Sequence, residues 1–174
     1  MRRVRHLWLV LATALTLGLS ACGESVPHLQ AGDPAVGFAL PDLDGNTIAV
    51  PDDLKGKVVA LRFWADWCPF CREEMKAIEP VYQARKDDGL VVLAVNVGQS
   101  RERAADFVGE LGISYTTLLD EESKVAGQYR VIGLPMTFFI DRNGVVQGKI
   151  LGESATGVFA EQVDALLKKR EGEP

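Results

Sequence analysis

Histidine is close to absent from this sequence. There are two, His6 and His28, and both precede the first segment with a folding pattern. Cysteine is scarce as well, with only Cys22, Cys68 and Cys71. A closed zinc site takes four N, S or O ligands, usually from a second Cys or His pair. A metal centre on Cys68 and Cys71 would lack that second pair, and copper delivery, which usually draws on a downstream histidine, is disfavoured with it. Basic residues are outnumbered, 19 Lys and Arg against 24 Asp and Glu for a net charge of -5, and they do not gather into a stripe. Nucleic acid is therefore excluded as a partner, because phosphate neutralisation needs clustered cations. The longest apolar stretch, Leu7 to Leu19, is too short to span a bilayer comfortably. Internal repeats and low-complexity tracts are missing, and the chain is of a length for one domain with a sizeable core.

What is present begins with an export signal. Arg2, Arg3 and Arg5 precede the apolar stretch, which closes on small residues. This is the order of a secretory signal peptide, placed at residues 1–21. Leu19-Ser20-Ala21-Cys22 resembles the bacterial lipoprotein cleavage box, in which the cysteine is lipidated and becomes the new N-terminus. A plain secretory signal or an uncleaved anchor is the alternative. Removal of residues 1–21 takes three Arg and no acid, leaving 16 basic against 24 acidic residues, or -8. Such a surface is not drawn to anionic lipid, so the acyl chains on Cys22 would hold the protein to the membrane. Export places the two remaining cysteines where disulfides persist unless actively reduced. Gly23 leaves the choice between inner and outer membrane open. Residues 22–36, rich in Gly, Pro and polar residues without periodicity, read as a flexible tether.

Residues 37–170 read as one domain. "FALPDLDGNTIAV" is a hairpin turning at Asp44-Gly45-Asn46. "KVVALRFW" and "GLVVLAVNV" are continuous buried strands. Between them, Met75, Ile78, Val81 and Tyr82 mark a helix with one buried face, kinked by Pro80. A helix capped by Ser100 and stopped by Gly112 follows, then a short strand "YTTLLD" and a short helix "ESKVAGQYR". A second hairpin turns at Arg142-Asn143-Gly144, and an amphipathic helix closes the chain. The order predicts an α/β fold, a mixed sheet flanked by helices with antiparallel strands at one edge.

The two cysteines, in "WADWCPFC", follow a buried strand and open a helix. As a structural staple the pair is poor, since closing so small a loop removes little entropy from the unfolded chain. The redox reading explains the arrangement better. Pro69 suits the first position of a helix, which would leave Cys68 exposed at the helix N-terminus, where unpaired N–H groups and the dipole favour a thiolate. A free thiol titrates near ~8.5, and thiols in such motifs fall to roughly 3.5–7.5. Cys71, on the same helical face, is within reach of Cys68.

"WADWCPFC" resembles the thioredoxin active-site motif, and "GLPMTFFID" (Gly133 to Asp141) resembles the loop that carries its cis-proline. The leading hairpin, "SRERAADFVGELGISYTTLLD" and "VNVGQS" are similar to the exported TlpA/ResA-like branch, over about residues 37–170. The resemblance implies a thioredoxin-like fold with a central βα insertion and a membrane-tethered, monomeric thiol-disulfide oxidoreductase without a cofactor. It would reduce disulfides of exported proteins, including apocytochromes c during cytochrome c maturation, and be re-reduced by a membrane thiol donor. The domain would face the periplasm or the cell exterior. By position, Cys68 is the nucleophile and Cys71 the resolving thiol. Pro135 is the cis-proline, with Gly133 and Leu134 pairing to an incoming chain, and Trp67, Pro69 and Phe70 form the docking surface. Glu74 matches an acid that the branch places beside the cysteines, where it would pass the exchanging proton. A solvated helix carboxylate, as Glu73 is read, is its alternative.

The sequence departs from the family at three points. Proline follows the first cysteine here and does not precede the second. Arg62 stands where thioredoxins have a buried acid, free to pair with Glu74 or another acid or to reach solvent. Met136 follows the cis-proline where the branch often has threonine. Two rival functions remain: a peroxiredoxin-type thiol peroxidase, whose Pro-x-x-x-Thr/Ser-x-x-Cys setting is missing, and a tethered chaperone or metal carrier, which needs neither paired cysteines nor a cis-proline.

Overall fold

The structure, a computed structural model, describes residues 29–169. Cys22 and the signal segment lie outside the described residues. A hairpin of β1 (Phe38–Pro41) and β2 (Thr47–Val50) comes first, its turn held by Asp42, whose Oδ1 accepts the N–H groups of Asp44 and Asn46 at 2.9 and 2.8 Å. Then follow β3 (Val58–Trp64), α1 (Cys71–Arg85), β4 (Leu90–Val97), α2 (Arg101–Leu111), β5 (Thr116–Asp120) and α3 (Lys124–Gln128). The chain closes with β6 (Met136–Ile140), β7 (Val146–Leu151) and α4 (Thr156–Lys168).

The main sheet has the order β5-β4-β3-β6-β7. β3, β4 and β5 are parallel, as their helical crossovers require, and β6 and β7 run antiparallel at one edge. Every residue of β3 is buried, the mark of a central strand covered on both faces. Alternation along it divides the core. Val58, Ala60 and Trp64 face a cluster shared with α1, α2 and α4, whereas Val59, Leu61 and Phe63 face one shared with α3. The fold class, the elements and both hairpin turns follow the sequence expectation. Gly45, Gly112 and Gly144 take positive φ where turns or a helix end need it.

Two details differ from that expectation. Residues 29–36, read as tether, pack on the body: Leu29 and Ala35 are buried, and hydrogen bonds join Gly32 and Asp33 to Val146 and Ala35 to Gly144. Their Gly-Pro-Asp composition hides this, because backbone groups make most of the bonds. The second difference is the start of α1. It runs from Cys71 through Pro80, and Pro69 and Phe70 sit in a preceding turn closed by Cys71 N–H donating to the Cys68 carbonyl at 3.2 Å. Proline fits a turn as readily as a first helical position, and the turn wins.

Candidate active site

β3 and β6 are antiparallel, with Phe63 opposite Met136, so the C-terminal end of β3 and the N-terminal end of β6 meet at one end of the sheet. The first leads into "ADWCPFC" and the second is preceded by Gly133-Leu134-Pro135. Sequence-distant segments are thus brought together by strand register alone. The Leu134–Pro135 peptide is cis, as is Val50–Pro51 at the far end of the β1–β2 hairpin.

Cys68 and Cys71 form a disulfide with Cα atoms 5.4 Å apart, within the usual span of such bonds. The expectation of an exposed Cys68 is corrected: it is 2% exposed and Cys71 is fully buried. Both belong to the cluster of Trp64 and Met75, against which Leu134 of the cis-proline loop packs. Trp64 is buried and stacked on Phe107 at 5.0 Å, so it is a packing residue. Around the shielded disulfide the neighbours protrude. Trp67 and Phe70 are 67% and 46% exposed, and Pro69 is exposed beside them. On the facing loop Ile132, which the sequence reading did not single out, is 73% exposed, while Gly133 and Leu134 are half-buried and Pro135 is buried. The site is a recessed sulfur pair whose own segment exposes Trp67, Pro69 and Phe70.

Glu74 lies one turn beyond Cys71 and is mostly buried, with its side chain 11% exposed. Its Oε2 accepts from Arg62 Nη2 at 2.5 Å, and its Oε1 accepts from the Ser154 N–H at 2.8 Å and from Ser154 Oγ at 3.3 Å. This is a clamped acceptor, and its pairing with Arg62 is one of those the sequence allowed. Glu73 is exposed, as expected.

A second polar group was not foreseen. Gln99, in the turn between β4 and α2, grips Asp66 twice: its Oε1 accepts the Asp66 N–H at 2.9 Å and its Nε2 donates to the Asp66 carboxylate at 2.5 Å. Arg103 from the first turn of α2 donates to the same carboxylate at 2.5 and 3.0 Å, and Asn96 Nδ2 donates to Gln99 Oε1 at 2.9 Å. Gly98 makes the turn that carries Gln99: its φ is +70°, and a Cβ there would lie 3.0 Å from Ser123 Oγ. The signal was in the "VNVGQS" stretch, but its partner two residues before Cys68 is set by the sheet. Burial alone would raise the Asp66 carboxyl, yet the bonds from Gln99 and Arg103 hold it below the usual carboxylate range. The folded state therefore binds fewer protons at Asp66 than the unfolded chain. The stability that this contributes is complete above about pH 4 and is lost as pH falls through the lower folded value. Urea unfolding from about pH 7 to pH 3 is expected to show a shallower acid loss for Asp66→Asn than for the parent; equal slopes would rule the contribution out.

Among the described residues no helix is long and apolar enough to cross a membrane, and no group of three or more His, Cys, Asp or Glu is placed to hold a metal ion. The AhpC/TSA family model matches residues 31–149. Thiol-disulfide oxidoreductase ResA of Bacillus thuringiensis (strain Al Hakam) is 35% identical over 141 residues, covering 81% of this chain and 79% of that protein. Thiol:disulfide interchange protein DsbE of Allochromatium vinosum is 31% identical over 168 residues, covering 95% and 91%. A crystal structure of a putative thiol:disulfide interchange protein DsbE from Chlorobium tepidum superposes with a TM-score of 0.76 at 33% identity, over 80% of this chain and 99% of that one. With these similarities and a disulfide between Cys68 and Cys71, the chain belongs to the AhpC/TSA family, has a thioredoxin-like fold and is a thiol-disulfide oxidoreductase.

Proposed function

We propose that the protein is an exported lipoprotein, anchored through Cys22 after loss of residues 1–21, that reduces disulfides of exported proteins. The observation that carries the reading is the recessed Cys68–Cys71 pair, with the exposed Trp67 and Phe70 beside it in the same segment. In the reduced protein the Cys68 thiolate attacks a substrate disulfide, forming a mixed disulfide and releasing one substrate thiolate. The Cys71 thiolate then attacks the Cys68 sulfur, closing the pair and releasing the second substrate thiolate. Two electrons pass to the substrate, and a membrane thiol donor returns the pair to the dithiol. Gly133 and Leu134 offer backbone to the substrate chain beside Pro135, and Trp67, Pro69 and Phe70 cover its apolar flank. The haem-attachment cysteines of apocytochromes c in the periplasm are the substrate class proposed, with the protein working as a monomer.

The peroxidase alternative requires an arginine free to act beside the reactive cysteine. Arg62, Arg72 and Arg103 are each engaged, by Glu74 and Thr137, by Glu110 and by Asp66 respectively. A redox titration tests the direction of flow. A potential at or below the thioredoxin value of about -270 mV supports reduction, and one near the DsbA value of about -120 mV reverses it. The mature protein recovered from bacterial membranes is expected to carry a diacylglyceryl mass on Cys22; a soluble, unmodified Cys22 removes the anchor.

A further inference from the structure

Arg62 is the one charged side chain of β3 and is 2% exposed. Strand alternation turns it to the same face as Ala60 and Trp64, the face under α1. Its Nη1 donates to Thr137 Oγ1 at 3.0 Å and its Nη2 to Glu74 Oε2 at 2.5 Å, while Nε has no protein partner. Thr137 lies two residues beyond the cis-proline, and Glu74 three beyond Cys71. Arg62 therefore fastens the helix that Cys71 opens to the strand that follows Pro135, and Ser154 closes the clamp from the loop before α4.

Such a pair is not explained by stability. Desolvating two charges offsets most of their attraction, and apolar side chains of similar size often do as well. Its location suggests another use. A lone carboxylate one turn from Cys71 would oppose thiolate formation in the reduced pair, and a lone guanidinium would favour it. Clamped together they cancel much of each other's field.

We infer that Arg62 is a positioning residue of the dithiol site, which clamps Glu74 so that the balance of the two charges sets how readily the reduced cysteines ionise. Glu74 then acts as a counter-charge held in place by Arg62 and Ser154. The inference rests on the proposed role of Cys68 as nucleophile. Other charged groups approach from every side. Tyr115 donates to the Met75 carbonyl and stays neutral, because burial pushes its hydroxyl up despite the nearby Arg62. Asp66 and Arg103 pair with each other, and on α1 Arg72 pairs with Glu110 while Glu73 faces solvent. The variants below leave all of these in place.

The test is the rate of iodoacetamide alkylation of Cys68 in the reduced protein across pH, read by mass spectrometry, with near-UV circular dichroism as the fold control. Against an Arg62→Gln/Glu74→Gln double variant, which has neither charge, Glu74→Gln alone is expected to react about tenfold faster at acidic pH, and Arg62→Gln alone about tenfold slower. The parent is expected to lie close to the double variant. A merely structural clamp would move both single variants in the same direction, and that result, or rates all within about threefold, overturns the inference. Should Arg62→Gln not fold, Glu74→Gln against the double variant decides: faster supports the inference and equal overturns it. A parent whose Cys68 neither alkylates nor exchanges with glutathione disulfide removes the nucleophile assignment itself, a failure distinct from the others.

Discussion

Replacing Cys71 with serine is expected to turn catalysis into capture. Cys68 can still attack a substrate disulfide, but no second sulfur is in place to resolve the mixed disulfide. In the parent that sulfur is built in, since Cys71 opens α1 and its Cα is 5.4 Å from that of Cys68. Multiple turnover with a protein disulfide is expected to fall by about 10³-fold or more, the scale of losing a group that acts as part of a unit. Non-reducing electrophoresis should show the variant joined to its substrate through Cys68. Cys71→Ala should behave alike, which separates the missing sulfur from the effect of a hydroxyl in a fully buried site. Cys68→Ser should lose the activity and capture nothing. Capture by Cys68→Ser in place of Cys71→Ser would exchange the two roles, and near-parental turnover by Cys71→Ser would remove the resolving step.

The parts of this site that lie close in sequence were legible. A buried strand and an amphipathic helix put Cys68 and Cys71 within reach of each other, because each announces itself through its own spacing of apolar residues, whereas the turn at Pro69 between them reads in sequence as the first helical position. The cis-proline loop was found only through family resemblance. Nothing local in "GLPMT" says that it lies beside residues about 70 positions earlier; the pairing of Phe63 with Met136 does. Arg62 shows the same limit more sharply. Inside "VVALRF" it reads as a charge interrupting a buried strand, and the sequence offered several possible partners. Thr137, opposite it in register, and Glu74, one turn into the helix above it, are chosen by tertiary packing.

The burial of Cys68 was misread for a related reason. Position at the end of a strand describes the backbone, whereas accessibility depends on what neighbouring loops cover. Here Leu134 packs against the cluster that holds Cys68, and the adjacent Trp67 projects outward instead. The packed segment Leu29–Val36 escaped notice because it has no regular element. Its attachment is a set of backbone bonds to the β6–β7 hairpin, together with the Tyr129 hydroxyl donating to the Val36 carbonyl at 2.8 Å.

Phe138→Ala is expected to cost a large share of the stability while leaving the chemistry untouched. Phe138 is fully buried in β6, the strand between β3 and β7. Its ring meets Tyr129 edge-on at 5.2 Å and Phe63 at 6.1 Å. It faces the α3 side of the sheet, away from the cluster that holds the cysteines. Truncation removes most of a large apolar side chain and leaves a cavity that strands on both sides cannot collapse to fill. The expected loss is about 3–5 kcal/mol, a large share of the roughly 5–15 kcal/mol that holds a domain together. In a chain of this size it corresponds to a fall in Tm on the order of 10 °C. The loss should exceed the contact area alone, because Tyr129 also anchors the Leu29–Val36 segment and its edge-on neighbour would be gone. Phe138→Leu, which keeps most of the volume, should lose less than half as much. Ile132→Ala, at 73% exposure, should leave Tm unchanged. Urea unfolding and calorimetry give these values, and alkylation of Cys68 in the folded variant should proceed at the parental rate, because the substitution is on the other face of the sheet. A Phe138→Ala loss below about 1 kcal/mol would mean that the aromatic cluster repacks around the gap, and altered Cys68 reactivity would mean that the two halves of the core are mechanically joined through β3.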